Sequence, residues 1–229
     1  MSETLESILK RHEELERDGQ NVSLDHFLEE QTGGDGELAT RVRIAIHERE
    51  SRERDKRQKS ELSNSGSRIR VGSEYQVEKE ASEGATGFVF RARDTDLERS
   101  LAIKVLKSSL TTNAERSQRF SHEAEITSQL DHPGVVPVYG RGKIEGGAPF
   151  YAMRFVDGET LDERIRQFHN RSWPSQAERR RRLHDIIRHI VQAAYTIDYA
   201  HERGVLNCEI KPCGLTPIEH DRFAILTHY

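Results

Sequence analysis

Leu101-Ala102-Ile103-Lys104-Val105-Leu106 sets one lysine inside a short run of aliphatic residues. A run of that length, with branched side chains at 103 and 105, reads as a strand. Upstream, Phe88, Phe90 and Ala92 alternate with Val89 and with the arginines Arg91 and Arg93, a second strand. Before that strand stands Ser82-Glu83-Gly84-Ala85-Thr86-Gly87, a turn with two glycines. Downstream, Thr112-Asn113-Ala114-Glu115 has the S/T-x-x-E spacing of a capping box. The helix it opens carries Phe120, Ala124, Ile126 and Leu130 and stops at His132-Pro133-Gly134. Val135–Tyr139 and Phe150–Val156 read as two further strands. Ser175-Gln176-Ala177-Glu178 is another capping box, followed by Leu183, Ile186, Ile187, Ile190, Val191, Ala194 and Ile197 at helical spacing. The order is strands, helix, strands and a long helix, which predicts an α+β fold.

The first 50 residues differ in character. Leu5, Ile8 and Leu9, then Leu24, Phe27 and Leu28, then Leu38, Val42 and Ile46 mark three amphipathic helices. Asp18-Gly19 and Gly33-Gly34-Asp35-Gly36 separate them. Residues 51–72 are charged, then rich in Ser, Asn and Gly, and predict a helix end followed by a linker. The expected division is a helical leader over 1–50, a linker over 51–72 and a main domain over 73–229.

Composition narrows the function. Of 229 residues, 34% are hydrophobic and 32% charged, with a formal net charge of -4. Mean hydropathy is -0.79 and the isoelectric point is near 6.3. These values predict no nucleic-acid partner. No apolar run approaches the roughly 20 residues of a membrane span, and the first residues lack the apolar core of a secretory signal, so a cytoplasmic chain with no membrane partner is expected. Cys208 and Cys213 are the only cysteines, too few for a disulfide framework or a zinc site. The 11 histidines do not cluster, and no metal site is expected from them. Arg179–Arg182 reads as a solvated first turn of a helix, diluted by Glu178 and Asp185.

From Tyr75 to Leu206 the motifs together resemble the protein-kinase family, in particular the bacterial serine/threonine kinases of eukaryotic type. Ser82–Val89 is similar to the G-x-G-x-x-G-x-V loop, with Ser82 in place of the first glycine. Leu101–Lys104 is similar to V-A-I-K, and Phe120-Ser121-His122-Glu123-Ala124 to the stretch that carries the family's helix glutamate. Tyr151–Gly158 resembles the hinge between the two lobes, and Tyr199–Val205 the lead into the catalytic loop. Residues 1–50 resemble the helical leader of some such bacterial kinases. The resemblance implies a twisted antiparallel N-lobe sheet with one long helix, a hinge, and the first helices of a C-lobe.

It also implies a nucleotide site for ATP. Gly84 and Gly87 let backbone approach phosphates closely. Lys104 neutralises phosphate charge, and Glu123 orients Lys104. Val89, Ala102 and Met153 line the adenine pocket. The other reading of Lys104 is an exposed strand lysine.

The catalytic loop departs from the pattern. Where the family has H-R-D-L-K-P-x-N, this chain has Asn207-Cys208-Glu209-Ile210-Lys211-Pro212-Cys213-Gly214. Lys211 and Glu209 are the candidate catalytic residues. Glu209 keeps a carboxylate but lengthens it by one methylene, and misplacement by about 1 Å costs on the order of 100-fold in rate. Gly214 stands at the position of a magnesium-binding Asn, and Thr227 at that of the D-F-G aspartate. Mg²⁺ prefers charged and carbonyl oxygens, so both protein ligands are lost or weakened. The chain reaches only the D-F-G position, short of the family's activation segment and later helices.

The expectation is a serine/threonine kinase-like chain that binds ATP, acts on or docks with protein, and transfers phosphate weakly or not at all. The classes left open are an active kinase completed by another chain, a pseudokinase scaffold, and a truncated reading frame without function.

Overall fold

The run at 101–106 lies in β4 (Arg99–Leu106), inside a six-stranded sheet. The computed structural model describes residues 4–20, 22–63, 68–71, 73–206, 210–218 and 222–225. These fall into two units, Met1–Gln58 and Lys59–Tyr229.

In the second unit the sheet runs β1 (Arg68–Val71), β2 (Ser73–Glu83), β3 (Gly87–Asp94), β4, β6 (Pro149–Arg154), β5 (Val138–Lys143). All of its pairings are antiparallel. Strand alternation sorts β4 onto two buried faces. Leu101, Ile103 and Val105 pack with Phe88, Phe90 and Phe150 on one face. Ala102 and Leu106 pack on the other with Tyr151 and Met153, under Phe120 and Ala124 of α5 (Ala114–Ser128). A strand buried on both faces reads as an unbroken apolar run, which is why the motif at 101–106 lacks polar alternation.

The short helix α4 (Ser108–Thr111) precedes α5 and shifts the cap of α5 by one residue. Thr112 is already used in helical geometry at the end of α4, so Asn113 caps α5 by accepting from the Arg116 N–H at 3.0 Å. The capping box expected at Thr112 is therefore replaced by a single cap bond at Asn113. A full capping box occurs instead at Thr160 and Glu163, opening α6 (Leu161–Asn170). The Thr160 N–H donates to Glu163 at 2.7 Å, and this bond holds the carboxyl of Glu163 below its usual range.

Ser175 caps α7 (Gln176–Glu202) by accepting from the Glu178 N–H at 3.1 Å. The apolar stripe of α7 splits into two faces. Ile186 and Ala193, with Ile197, pack on Leu161 and Phe168 of α6 and on Leu215. Leu183, Ile187, Ile190, Val191 and Tyr195 point outward, each more than 40% exposed. A 3₁₀ turn at Pro212–Gly214 leads into the hairpin of β7 (Leu215–Ile218) and β8 (Arg222–Ile225).

The His132-Pro133-Gly134 turn fastens the end of α5 to α7. The Gly134 N–H donates to His132 Nδ1 at 3.0 Å. A Cβ at Gly134 would run into the Thr196 side chain on α7, so only glycine allows this approach. The Tyr199 hydroxyl donates to the Asp131 carbonyl at 2.8 Å and accepts from the Asp131 N–H at 3.0 Å. Its ring lies over His132 with centroids 4.7 Å apart.

The first unit holds α1 (Leu5–Arg17), α2 (Leu24–Thr32) and the larger part of α3 (Gly36–Ser63). Ile8, Phe27, Leu28, Val42 and Ile46 form its core, on the three stripes expected. Gly33 ends α2 in the left-handed region at φ 58°. In the stretch expected to be a helix end followed by a linker, α3 continues to Ser63. The charges that suggest a linker lie at helical spacing and pair along the helix, Arg52 with Glu48 at 3.4 Å and Lys56 with Glu53 at 3.6 Å. Among the described residues no helix is long and apolar enough to cross a membrane.

Candidate functional site

The turn between β2 and β3 closes through the Gly84 N–H, which donates to the Gly87 carbonyl at 2.9 Å. The two glycines differ in their surroundings. A Cβ at Gly87 would collide with the Val105 carbonyl oxygen, so β3 can lie this close to β4 only with glycine there. A Cβ added at Gly84 would have the Gly87 oxygen as its nearest neighbour, at 3.7 Å. Next to Gly84 stands Glu83, which accepts from Lys59 and from Lys107, both at 2.9 Å. Those bonds, that from Lys107 first, hold its carboxyl below the usual range. They tie the turn down at its β2 end.

Lys104 lies on the α5 side of β4, and α5 presents Glu123 to it. Nζ donates to Glu123 Oε1 at 2.9 Å, with the lysine 3% and the glutamate 5% exposed. Burial excludes the reading of Lys104 as an exposed strand lysine. A buried ion pair needs further hydrogen bonds to offset desolvation. The Tyr151 hydroxyl supplies one, donating to the same Oε1 at 2.8 Å. Burial, then the charge of Glu123 and this bond, hold the Tyr151 phenol well above its usual range, so it remains a donor.

Lys104 opens onto a cleft of about 270 Å³ between the sheet and the 3₁₀ turn. Val89, Val136, Val138 and Met153 give it apolar walls, and Ser82, Gly84 and Gly87 close the end at the turn. Lys211, Cys213 and Gly214 border it from the opposite side. The cleft thus joins an apolar slot to a glycine-bordered end lined by Lys104, Lys211 and the lysine-paired Glu83, a set of groups suited to an aromatic ring carrying an anionic chain.

Of the expected site residues, Gly84, Gly87, Val89, Lys104, Met153 and Lys211 line this one cleft. Glu123 stands behind Lys104. Ala102 sits in the buried cluster with Met153 and does not line the cleft. Glu209 and Thr227 lie outside the described residues. Tyr151, Thr127, Val136 and Val138 also line the cleft, and the motifs do not mark them as site residues. A signal for Tyr151 does exist: strand alternation puts it on the same face of β6 as Met153, and it is the cross-strand partner of Lys104.

The family model described as "Protein kinase domain" matches residues 75–215. The serine/threonine-protein kinase PknJ of Mycobacterium tuberculosis is 36% identical over 140 residues, covering 61% of this chain and 22% of that protein. The serine/threonine-protein kinase pkn3 of Myxococcus xanthus is 34% identical over 142 residues, covering 62% and 24%. The chain thus spans less than a quarter of the length of these relatives. Among solved structures, the PknI kinase domain of Mycobacterium tuberculosis is 26% identical with a TM-score of 0.53, covering 70% of this chain and 60% of that one. The apo form of PpkA-294 shares the fold at 24% identity and a TM-score of 0.56, covering 71% and 59%. The fold, the ordered motifs and these likenesses agree: the chain belongs to the protein kinase family and is similar to its bacterial serine/threonine members.

Proposed function

We propose that this chain binds ATP in the cleft at Lys104 and, as it stands, transfers phosphate to protein hydroxyls weakly or not at all. The observation that carries the first half is the buried Lys104–Glu123 pair at 2.9 Å, opening on a glycine-bordered cleft with apolar walls. In this reading the backbone at Gly84 approaches the phosphates, Lys104 neutralises them, and Val89 and Met153 hold the adenine ring. Lys211, across the cleft, faces the transferring end.

The second half rests on the donor set. Family kinases hold Mg²⁺ through side-chain oxygens from the catalytic loop and the D-F-G position. Gly214 is buried at the cleft and offers none. Thr227, at the D-F-G position of the sequence, offers a hydroxyl in place of a carboxylate. In this reading the chain holds a divalent ion weakly or not at all. Positioning and charge neutralisation supply nearly all of phosphoryl-transfer catalysis, so their loss outweighs the altered base at Glu209.

Incubation of the purified chain with radiolabelled Mg-ATP and a basic protein acceptor tests this half. The expected result is labelling at least about 100-fold below a family kinase assayed alongside. Labelling at the rate of that kinase, lost in Lys104→Met, would make the chain an active enzyme.

A second reading, an interaction module, is favoured by the outward face of α7. Leu183, Ile187, Ile190, Val191 and Tyr195 make a contiguous apolar surface of the kind that marks contact sites. ATP binding and such a role are compatible in one chain.

A further inference from the structure

Glu123 Oε1 accepts two hydrogen bonds from the sheet, from Lys104 Nζ at 2.9 Å and from the Tyr151 hydroxyl at 2.8 Å. The two donors are direct cross-strand partners on β4 and β6. They therefore form one fixed pair inside the sheet, and Glu123 is the group that α5 brings to it. Tyr151 is 4% exposed, and its ring lies 5.1 Å from that of Phe120, one turn before Glu123 on α5. Ring contact and hydroxyl thus grip the same turn of the helix.

The two donors differ in what else they can bind. Lys104 faces the cleft and, on the reading proposed above, is drawn to phosphate when ATP enters. The Tyr151 hydroxyl carries a single proton, and that proton is committed to Glu123. Neither phosphate charge nor ordinary pH removes it.

We propose that Tyr151 is a positioning residue: a nucleotide-independent clasp that keeps Glu123 turned inward and α5 docked on the sheet. The ion pair alone would have to be shared between carboxylate and phosphate. With the clasp, Glu123 stays in place while Lys104 leans toward the ligand, so the site is formed before ATP arrives. The effect on ATP affinity rests on the nucleotide reading; the docking of α5 does not.

A double-mutant cycle between Tyr151→Phe and Glu123→Ala tests it, read by amide hydrogen exchange without nucleotide and by ATP affinity. Loss of one charge-assisted hydrogen bond predicts about 10-fold faster exchange over Phe120–Thr127 in Tyr151→Phe, with β4 and β6 unchanged, and about 10-fold weaker ATP binding. When Glu123→Ala is already present, Tyr151→Phe should add less than about 2-fold to either effect. Equal effects in both backgrounds, or none in either, would overturn the proposal, because a purely packing role moves both alike. If the unsubstituted chain binds no ATP, the nucleotide reading falls, and the exchange cycle still decides the clasp. Should those variants not fold, ultraviolet resonance Raman of Tyr199→Phe, which removes the hydroxyl that donates to Asp131, decides it: one remaining tyrosine must show a hydroxyl donating strongly to a carboxylate, unchanged by saturating ATP. Absence of that signature would also overturn the proposal.

Discussion

At Gly87 an added methyl group would meet the Val105 carbonyl oxygen, while at Gly84 it would reach no atom closer than 3.7 Å. Gly87→Ala is therefore expected to destabilise the chain by about 2–3 kcal/mol, the usual size of an overpacking cost. Gly84→Ala should stay within about 0.5 kcal/mol of the parent. Urea unfolding of both variants checks the pair; equal losses would mean that the close strand approach at Gly87 is not what requires glycine. Single residues are unevenly legible in the sequence. Lys104 and Glu123 can be found because motif order fixes them, and their burial agrees. Tyr151 cannot be found that way, because its role comes from the β4–β6 register and from a hydroxyl to which no motif assigns a function.

Among the elements, β4 is plain in the sequence because a strand covered on both faces keeps an unbroken aliphatic run. In contrast, α6 is hard to read, since only Leu161, Ile165 and Phe168 mark its apolar side within ten mostly polar residues. The length of α3 is hidden for a related reason: past Ser51 the sequence shows charges at helical spacing and no apolar stripe, and Leu62 is the one large apolar residue that is buried there. The joint of α5 with α7 yields a pH prediction. Burial first, and then the charge of Arg203, lower the pKa of His132 from its ordinary value. The folded chain thus favours the neutral ring, whose Nδ1 accepts from the Gly134 N–H. A depressed value means that this contribution is present above about pH 6.5 and is lost as pH falls through the folded value. Urea midpoints measured from pH 8 to pH 5 should fall on the acid side, and His132→Gln should flatten that slope. An unchanged slope in the variant would remove His132 from the joint.

For the molecule as a whole, the described residues contain a formed cleft and an uncovered apolar surface. The outward face of α7 should bind a hydrophobic dye such as ANS in the native chain. Ile187→Glu with Ile190→Glu should remove most of that fluorescence and leave ATP affinity within about 2-fold, since neither residue lines the cleft. Dye binding unaltered by the pair would place the apolar surface elsewhere. The proposed function has a narrower core: on it, Lys104, held by Glu123, binds triphosphate without help from a protein-held divalent ion. Calorimetric titration of ATP in EDTA and in magnesium, for the parent and for Lys104→Met, tests it most directly. The account predicts affinities within about 3-fold of each other in the two buffers and at least about 10-fold weaker binding by Lys104→Met, the cost of one charge-assisted bond. Binding only in magnesium, or binding unchanged by Lys104→Met, would contradict it.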